Sequence, residues 1–199
     1  MDKRDFKKEL KALYGPSSKE VALVDVPAMN YLMIDGQGDP NTSEKFQDAV
    51  GDLYKVSYTL KFMLKKLEVD YSVLPLEGLW WMDNIETFQT DNKDKWNWTL
   101  MIMQPAFVTY EMYRNAFLQV SNKLKSEIRF EQFLEGLSAQ IMHIGPYSSE
   151  GPAIEKIHSY IKKSGYKPRG KHHEIYLGDP RKSSPEKLKT VLRQPVEKE

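Results

Sequence analysis

Between Phe46 and Leu67 the apolar residues Phe46, Ala49, Val50, Leu53, Val56, Leu60, Met63, Leu64 and Leu67 return at steps of three and four. That is the repeat of one helix face packed on a core. Just ahead of it, Tyr31 to Asp35 reads as a strand and runs into Gly36-Gln37-Gly38-Asp39-Pro40, where two glycines and a proline end it. Asn41 and Glu44 then stand at the spacing of a capping box. Strand-like runs follow at Tyr71 to Met82 and Trp96 to Met103. In the first of them, alternation puts Glu77, Leu79 and Trp81 on one face and Leu76, Gly78, Trp80 and Met82 on the other. Pro75 and Gly78 are points where that strand bends and its parity can slip.

The second half repeats the phrase. Leu137 to Ile144 predicts a strand, Gly145-Pro146-Tyr147-Ser148-Ser149 a turn, and Ile154, Ile157, His158 and Ile161 one face of a helix ending near Gly165. Strand-like runs at Tyr166 to Arg169 and His172 to Leu177 follow. Between the halves, Ala106 to Lys125 predicts a further helix through Val108, Met112, Ala116, Leu118 and Val120, and residues 126–136 a linker or its continuation. The expected fold is α+β: two strand–helix–strand–strand halves, about 26–104 and 137–181, joined by a helix within a single domain of residues 1–181. They form antiparallel sheet with helices behind it and a ligand groove at the seam. Residues 182–199, rich in Lys, Pro and Ser, are expected to be a charged tail with a short helix from Pro185 to Leu192.

Composition narrows the partners. A chain of 199 residues is long enough for one sizeable core. Its 29 basic and 28 acidic residues balance to +1, which gives no general attraction to nucleic acid or an anionic membrane. The absence of cysteine excludes disulfides, thiolate nucleophiles and Cys-ligated metals. No run approaches the ~20 apolar residues that cross a bilayer, and the charged start from Met1 to Lys8 is unlike a signal peptide. A cytoplasmic protein is expected. The 4 Trp, 11 Tyr and 8 Phe are more ring edges and hydroxyls than a small core readily hides.

The densest chemistry lies in His172-His173-Glu174-Ile175-Tyr176-Leu177, where strand parity puts His172, Glu174 and Tyr176 on one side and His173, Ile175 and Leu177 on the other. A carboxylate beside aromatic rings suits a flat or cationic organic molecule. The same pattern equally suits an edge strand whose Glu174 pairs with a surface lysine, and Tyr147 equally suits packing over its own turn. Trp96 and Trp98 read as core. His172 and His173 point apart, and His143 and His158 lack partners at ligand spacing, so no metal is expected. Ser148-Ser149 beside His143 carries no nucleophile elbow. The Gly36-Gln37-Gly38 turn lacks the longer phosphate-loop pattern.

Met142-His143-Ile144-Gly145-Pro146-Tyr147, Gly165-Tyr166 and Glu174-Ile175-Tyr176-Leu177-Gly178-Asp179-Pro180-Arg181, together with Leu76-Glu77-Gly78-Leu79-Trp80-Trp81, resemble the GyrI-like small-molecule-binding family. The likeness runs from about Val26 to Arg181 and favours its larger stand-alone members. The resemblance implies a duplicated strand–helix–strand–strand fold of the SHS2 type. It also implies a groove for hydrophobic or cationic compounds, and no cofactor. One similar subfamily hydrolyses cyclopropane-bearing DNA-alkylating natural products in an aromatic cage. On that likeness Glu174 is the pocket carboxylate, with its pKa raised by desolvation, and acts as base or water-orienter. Tyr176 or Tyr147 is the donor. Trp80, Trp81, Tyr147 and Tyr110 form the ligand wall, one tryptophan facing the groove. The chain departs from the family's DNA-binding regulators in having no helix-turn-helix pattern ahead of residue 26. The expected partner is therefore a flat xenobiotic, with neither nucleic acid nor membrane and with the oligomeric state open. The alternatives are a non-catalytic sequestering or signalling protein, and an inhibitor contacting a partner such as DNA gyrase.

Overall fold

The computed structural model describes residues 3–82 and 93–199. In chain order the elements are α1 (Phe6–Glu9), α2 (Lys11–Tyr14), β1 (Ala22–Val26), β2 (Met29–Gln37), α3 (Glu44–Lys65), β3 (Leu76–Trp81) and β4 (Asn97–Gln104). They continue with α4 (Tyr110–Val120), β5 (Arg129–Phe133), β6 (Gly136–Ile144), α5 (Gly151–Lys163), β7 (Tyr166–Pro168), β8 (His172–Tyr176) and β9 (Lys189–Lys198). Two compact units result. One comprises Met1–Phe6 and Met29–Phe133, the other Lys7–Ala28 and Leu134–Glu199.

In the first unit the strands run β5-β2-β4-β3, all antiparallel. Leu32 and Ile34 of β2 pair with Ile102 and Leu100 of β4 and share their face. Leu53, Val56 and Leu60 of α3 are fully buried, as the three–four apolar repeat requires of a helix laid on that face. The helix starts two residues later than the capping-box reading placed it. Ser43, not Asn41, is the cap and accepts from the Phe46 N–H at 3.3 Å, while Asn41 is engaged by the Asp39 side chain. After α4, the backbone N–H groups of Lys125 and Ser126 donate to the buried Asp52 carboxylate of α3 at 2.8 and 2.9 Å, which ties the returning chain to the helix. Residues 126–136, expected as linker, contain β5 on the edge of this sheet.

The same helix-covered face is finished by rings. Phe46 stacks on Trp80 at 5.9 Å and meets Trp98 edge-on at 5.3 Å, and Trp80 meets Trp96 at 5.7 Å. Trp98 lies opposite Gly36 in the β2–β4 register. A Cβ on Gly36 would stand 2.2 Å from the indole, so the glycine makes room for the ring. β3 begins only at Leu76, after Pro75, so the longer strand expected from Tyr71 is cut short by the proline. From Leu76 to Trp81 its register with β4 is continuous, so Gly78 introduces no slip and the expected parity holds.

The second unit runs β1-β6-β9-β8, again antiparallel, with β7 paired to the far end of β9. Residues 182–199, expected as a charged tail, instead contain the strand that joins β6 to β8. Ala139, Ile141, Leu192 and Val196 form the core with Ile157 and Ile161 of α5. The four-element phrase is thus β2-α3-β3-β4 in one unit and β6-α5-β8-β9 in the other. In each, the fourth strand lies between the first and the third.

The opposite face of the second sheet carries buried charge. Glu135 accepts from Arg193 Nη1 at 3.0 Å and faces His173 Nδ1 at 2.9 Å, with all three side chains almost fully buried. Arg193 Nε donates to Gln140 Oε1 at 3.0 Å and Nη2 to the Leu13 carbonyl at 2.7 Å, while Gln140 donates to the Ala12 carbonyl at 2.7 Å. Burial alone would raise the Glu135 carboxyl. His173 and Arg193 outweigh it and bring it from 4.5 to about 2. The stability contributed by this carboxylate is therefore complete above pH 4.5 and is lost as the pH falls towards 2.

Two outcomes follow for stability. Glu135→Gln strands a buried cation and should cost about 3–5 kcal/mol in chemical denaturation at pH 7, with the gap to wild type narrowing under acid. Gly36→Ala should cost about 1–3 kcal/mol by overpacking against Trp98, read from the same denaturation curves.

Candidate functional site

The site is built on β8, whose exposure alternates along the strand. His173 and Ile175 are fully buried on one face, and His172, Glu174 and Tyr176 are half-buried on the other. Register extends that second face across the unit: Tyr176 pairs with Thr190, which pairs with His143, and Glu174 pairs with Leu192, which pairs with Ile141. Ile141 and Leu192 belong to the core under α5. Glu174 and Tyr176 therefore lie on the helix-covered face, beyond the edge of its apolar packing.

Within this cluster Tyr176 Oη donates to Glu174 Oε2 at 2.7 Å, and His172 Nε2 lies 3.6 Å from Glu174 Oε1. The turn ahead of α5 supplies Tyr147, whose ring meets Tyr176 edge-on at 5.5 Å and is 38% exposed. The same turn ends at Glu150, the cap position of α5, where Gly151-Pro152 starts the helix. Glu150 is only 6% exposed. Burial first, and then the negative charge of Glu174, push its carboxyl from 4.5 up to about 8. The Thr190 hydroxyl, close by, acts the other way. Glu150, which strand parity did not point to, thus brings a raised carboxyl to this site. The signal available in sequence was an acid placed immediately before Gly-Pro at a helix start. On α5, His158 is held below its ordinary range by burial and by neighbouring His172.

A carboxyl that keeps its proton to about pH 8, beside a second one tied to a phenol, forms a set that can both hold and move a proton. Ser149 does not join it as a nucleophile. Its hydroxyl donates to the Pro146 carbonyl at 2.8 Å, and His143 Nε2, 3.4 Å away, is itself 3.1 Å from that carbonyl. A ring nitrogen donating to a carbonyl cannot serve as the base for a serine. Among the described residues no group of three or more His, Asp or Glu side chains is placed to hold a metal ion.

The structure brings Glu174, Tyr176 and Tyr147 together, and the other expected wall residues lie in the first unit. Trp80 is buried among Phe46 and Trp96, and Trp81, of opposite parity, is half-buried on the other face of β3. Tyr110 opens α4 and is 63% exposed. It packs with Tyr113 and Phe130 at the β5 edge of its sheet, the edge opposite Trp80, so these two do not form one wall. Its position follows from α4 returning over β5 rather than over β3.

A family model of the GyrI-like small molecule binding domain matches residues 19–197. The chain belongs to the GyrI-like family. An uncharacterized conserved protein from Listeria innocua is 40% identical to this GyrI-like chain over 98% of it and 100% of the other, with a TM-score of 0.89. A protein described as a hydrolase from Listeria innocua is 39% identical over 98% and 100% of the two chains, with a TM-score of 0.87. The C-terminal domain of EcmrR shares the fold at 15% identity, covering 90% of this chain and 98% of its own, with a TM-score of 0.58. No curated protein matches this chain at a significant level. Among the described residues no helix of this GyrI-like protein is long and apolar enough to cross a membrane.

The displaced Glu150 has a measurable signature. The unfolded chain releases this proton near pH 4.5 and the folded chain near 8, so the folded state holds more protons in between. Stability therefore falls as the pH rises through that window. The Tm of the wild type should drop between pH 5 and 8.5, and Glu150→Gln should flatten that drop.

Proposed function

We propose that this GyrI-like protein binds flat, hydrophobic or cationic xenobiotics against Tyr147, Tyr176 and Glu174, and hydrolyses those bearing an activated cyclopropane. The observation that carries the reading is the 2.7 Å bond from Tyr176 to Glu174, with the Tyr147 ring edge-on to Tyr176 beside it. The likeness to a Listeria innocua protein described as a hydrolase supports the catalytic part.

In the proposed step Glu174 orients a water and takes its proton as the oxygen bonds to the strained ring carbon. The opposing C–C bond breaks, and its electron pair moves into the conjugated system to give an oxyanion. The Tyr147 hydroxyl donates a hydrogen bond to that oxyanion, which is then protonated from solvent as Glu174 returns its proton. The sum is substrate plus one water giving the ring-opened alcohol. Stacking on the two tyrosines supplies position, without which the water has no fixed target.

Purified protein incubated with a cyclopropane-bearing alkylator should yield ring-opened product in excess of protein, followed by mass spectrometry. Glu174→Gln should abolish turnover, and Tyr176→Phe should slow it by roughly 10²-fold. Undiminished turnover in Glu174→Gln overturns the assignment. Tight binding without product makes this a sequestering protein instead.

A further inference from the structure

Glu150 plays no part in the hydrolytic step, yet it lies in the same cluster. Its Oε1 and the His172 Nε2 are buried polar atoms without a hydrogen-bond partner among the described residues. Buried polar groups are ordinarily paired, and two such atoms on either side of Glu174 mark a cluster suited to one more participant. Its chemistry is constrained by the charges already there. Glu174 is bonded to a phenol and approached by an imidazole. A second carboxylate beside it, at the low dielectric of a residue only 6% exposed, is strongly disfavoured unless a positive charge enters.

We propose that Glu150 sets the charge of the compound this site accepts: an aromatic cation displaces the Glu150 proton and is held by two carboxylates, whereas a neutral aromatic compound binds with that proton in place. The inference rests on the small-molecule reading above and adds a residue and a selection rule to it. The balance is simple. A protonated Glu150 and a cation become a Glu150 carboxylate paired with that cation, and one proton leaves to solvent. The cluster's net charge is the same before and after.

The titratable groups on the elements around Glu150 are Glu174, Tyr176 and His172 of β8, His143 of β6, His158 of α5 and Tyr147 of the turn. His158 is held below its ordinary 6.5, so a measurement from pH 7 upwards leaves it uncharged throughout. The raised Glu150 carboxyl, near 8, titrates inside that range.

The test uses the full chain and two probes of similar shape, 10-methylacridinium with a fixed charge and acridine, which is neutral above pH 7. The Kd of the cation should tighten about tenfold between pH 7 and 9, and that of acridine should stay level. Calorimetry in two buffers of different ionisation enthalpy should count close to one proton released per cation at pH 7 and none at pH 9.5. Glu150→Gln should bind the cation weakly and with no pH dependence. If the wild type binds the cation with a level Kd and releases no proton, the exchange is wrong and the binding reading stands. If neither probe binds, both fall.

Discussion

Glu135, held between Arg193 and His173, is the constraint on which the second unit depends. One carboxylate fixes a residue of β9 and a residue of β8, and the same guanidinium reaches the carbonyl of Leu13. Such a cluster adds little net stability over an apolar replacement, because its desolvation is costly. Its value lies in geometry: the carboxylate meets Arg193 of β9 and His173 of β8 only while those two stand opposite each other, so a slide of β8 against β9 breaks the cluster. A one-residue slip would put His173 where Glu174 belongs and carry Tyr176 to the wrong face. The site is accurate because its back side is locked by charge rather than by shape alone.

The two repeats put equivalent positions to different uses. One residue before the end of the first strand stands Gly36 in one unit and His143 in the other. Across the register these meet Trp98 and Trp80 in the first unit, and Thr190 and Tyr176 in the second. In the first unit Phe46 closes over the two indoles and the space becomes core. In the second, a hydroxyl, a phenol and two carboxyls occupy it. The same backbone therefore yields a plug of rings on one side and a polar cluster on the other, decided by which residue sits opposite the penultimate position of the first strand.

Much of the fold was legible because alternation and three–four periodicity report burial directly: β2, α3, β6, α5 and the parity of His172, Glu174 and Tyr176 all follow from them. The failures have physical causes. β9 reads as tail because Lys189, Arg193, Gln194, Pro195 and Glu197 are polar or strand-breaking by type. Arg193 is buried only because Glu135, fifty-eight positions earlier, neutralises it, a pairing no local pattern reveals. β1 and β5 are short edge strands with exposed residues and weak alternation. Glu150 escaped for a similar reason. Its character depends on Glu174 in another element, and only folding brings the two together.

β1 and β5 also mark where one unit's sequence is threaded through the other's. Val26 pairs with Gly136 and Met29 with Phe133, so the chain leaves the second unit and re-enters it at neighbouring points. The whole of Met29–Phe133 is in this sense a guest inserted into a host strand pair. Joining residue 28 to 134 would leave Pro27-Ala28-Leu134-Glu135 as a four-residue loop between β1 and β6, a length at which hairpins close readily. The duplication thus reads as nesting rather than as beads on a string. The host segments alone carry Glu135, Glu150, Glu174 and Tyr176, so the whole acid–base cluster is encoded outside the inserted stretch and its assembly needs no residue of Met29–Phe133.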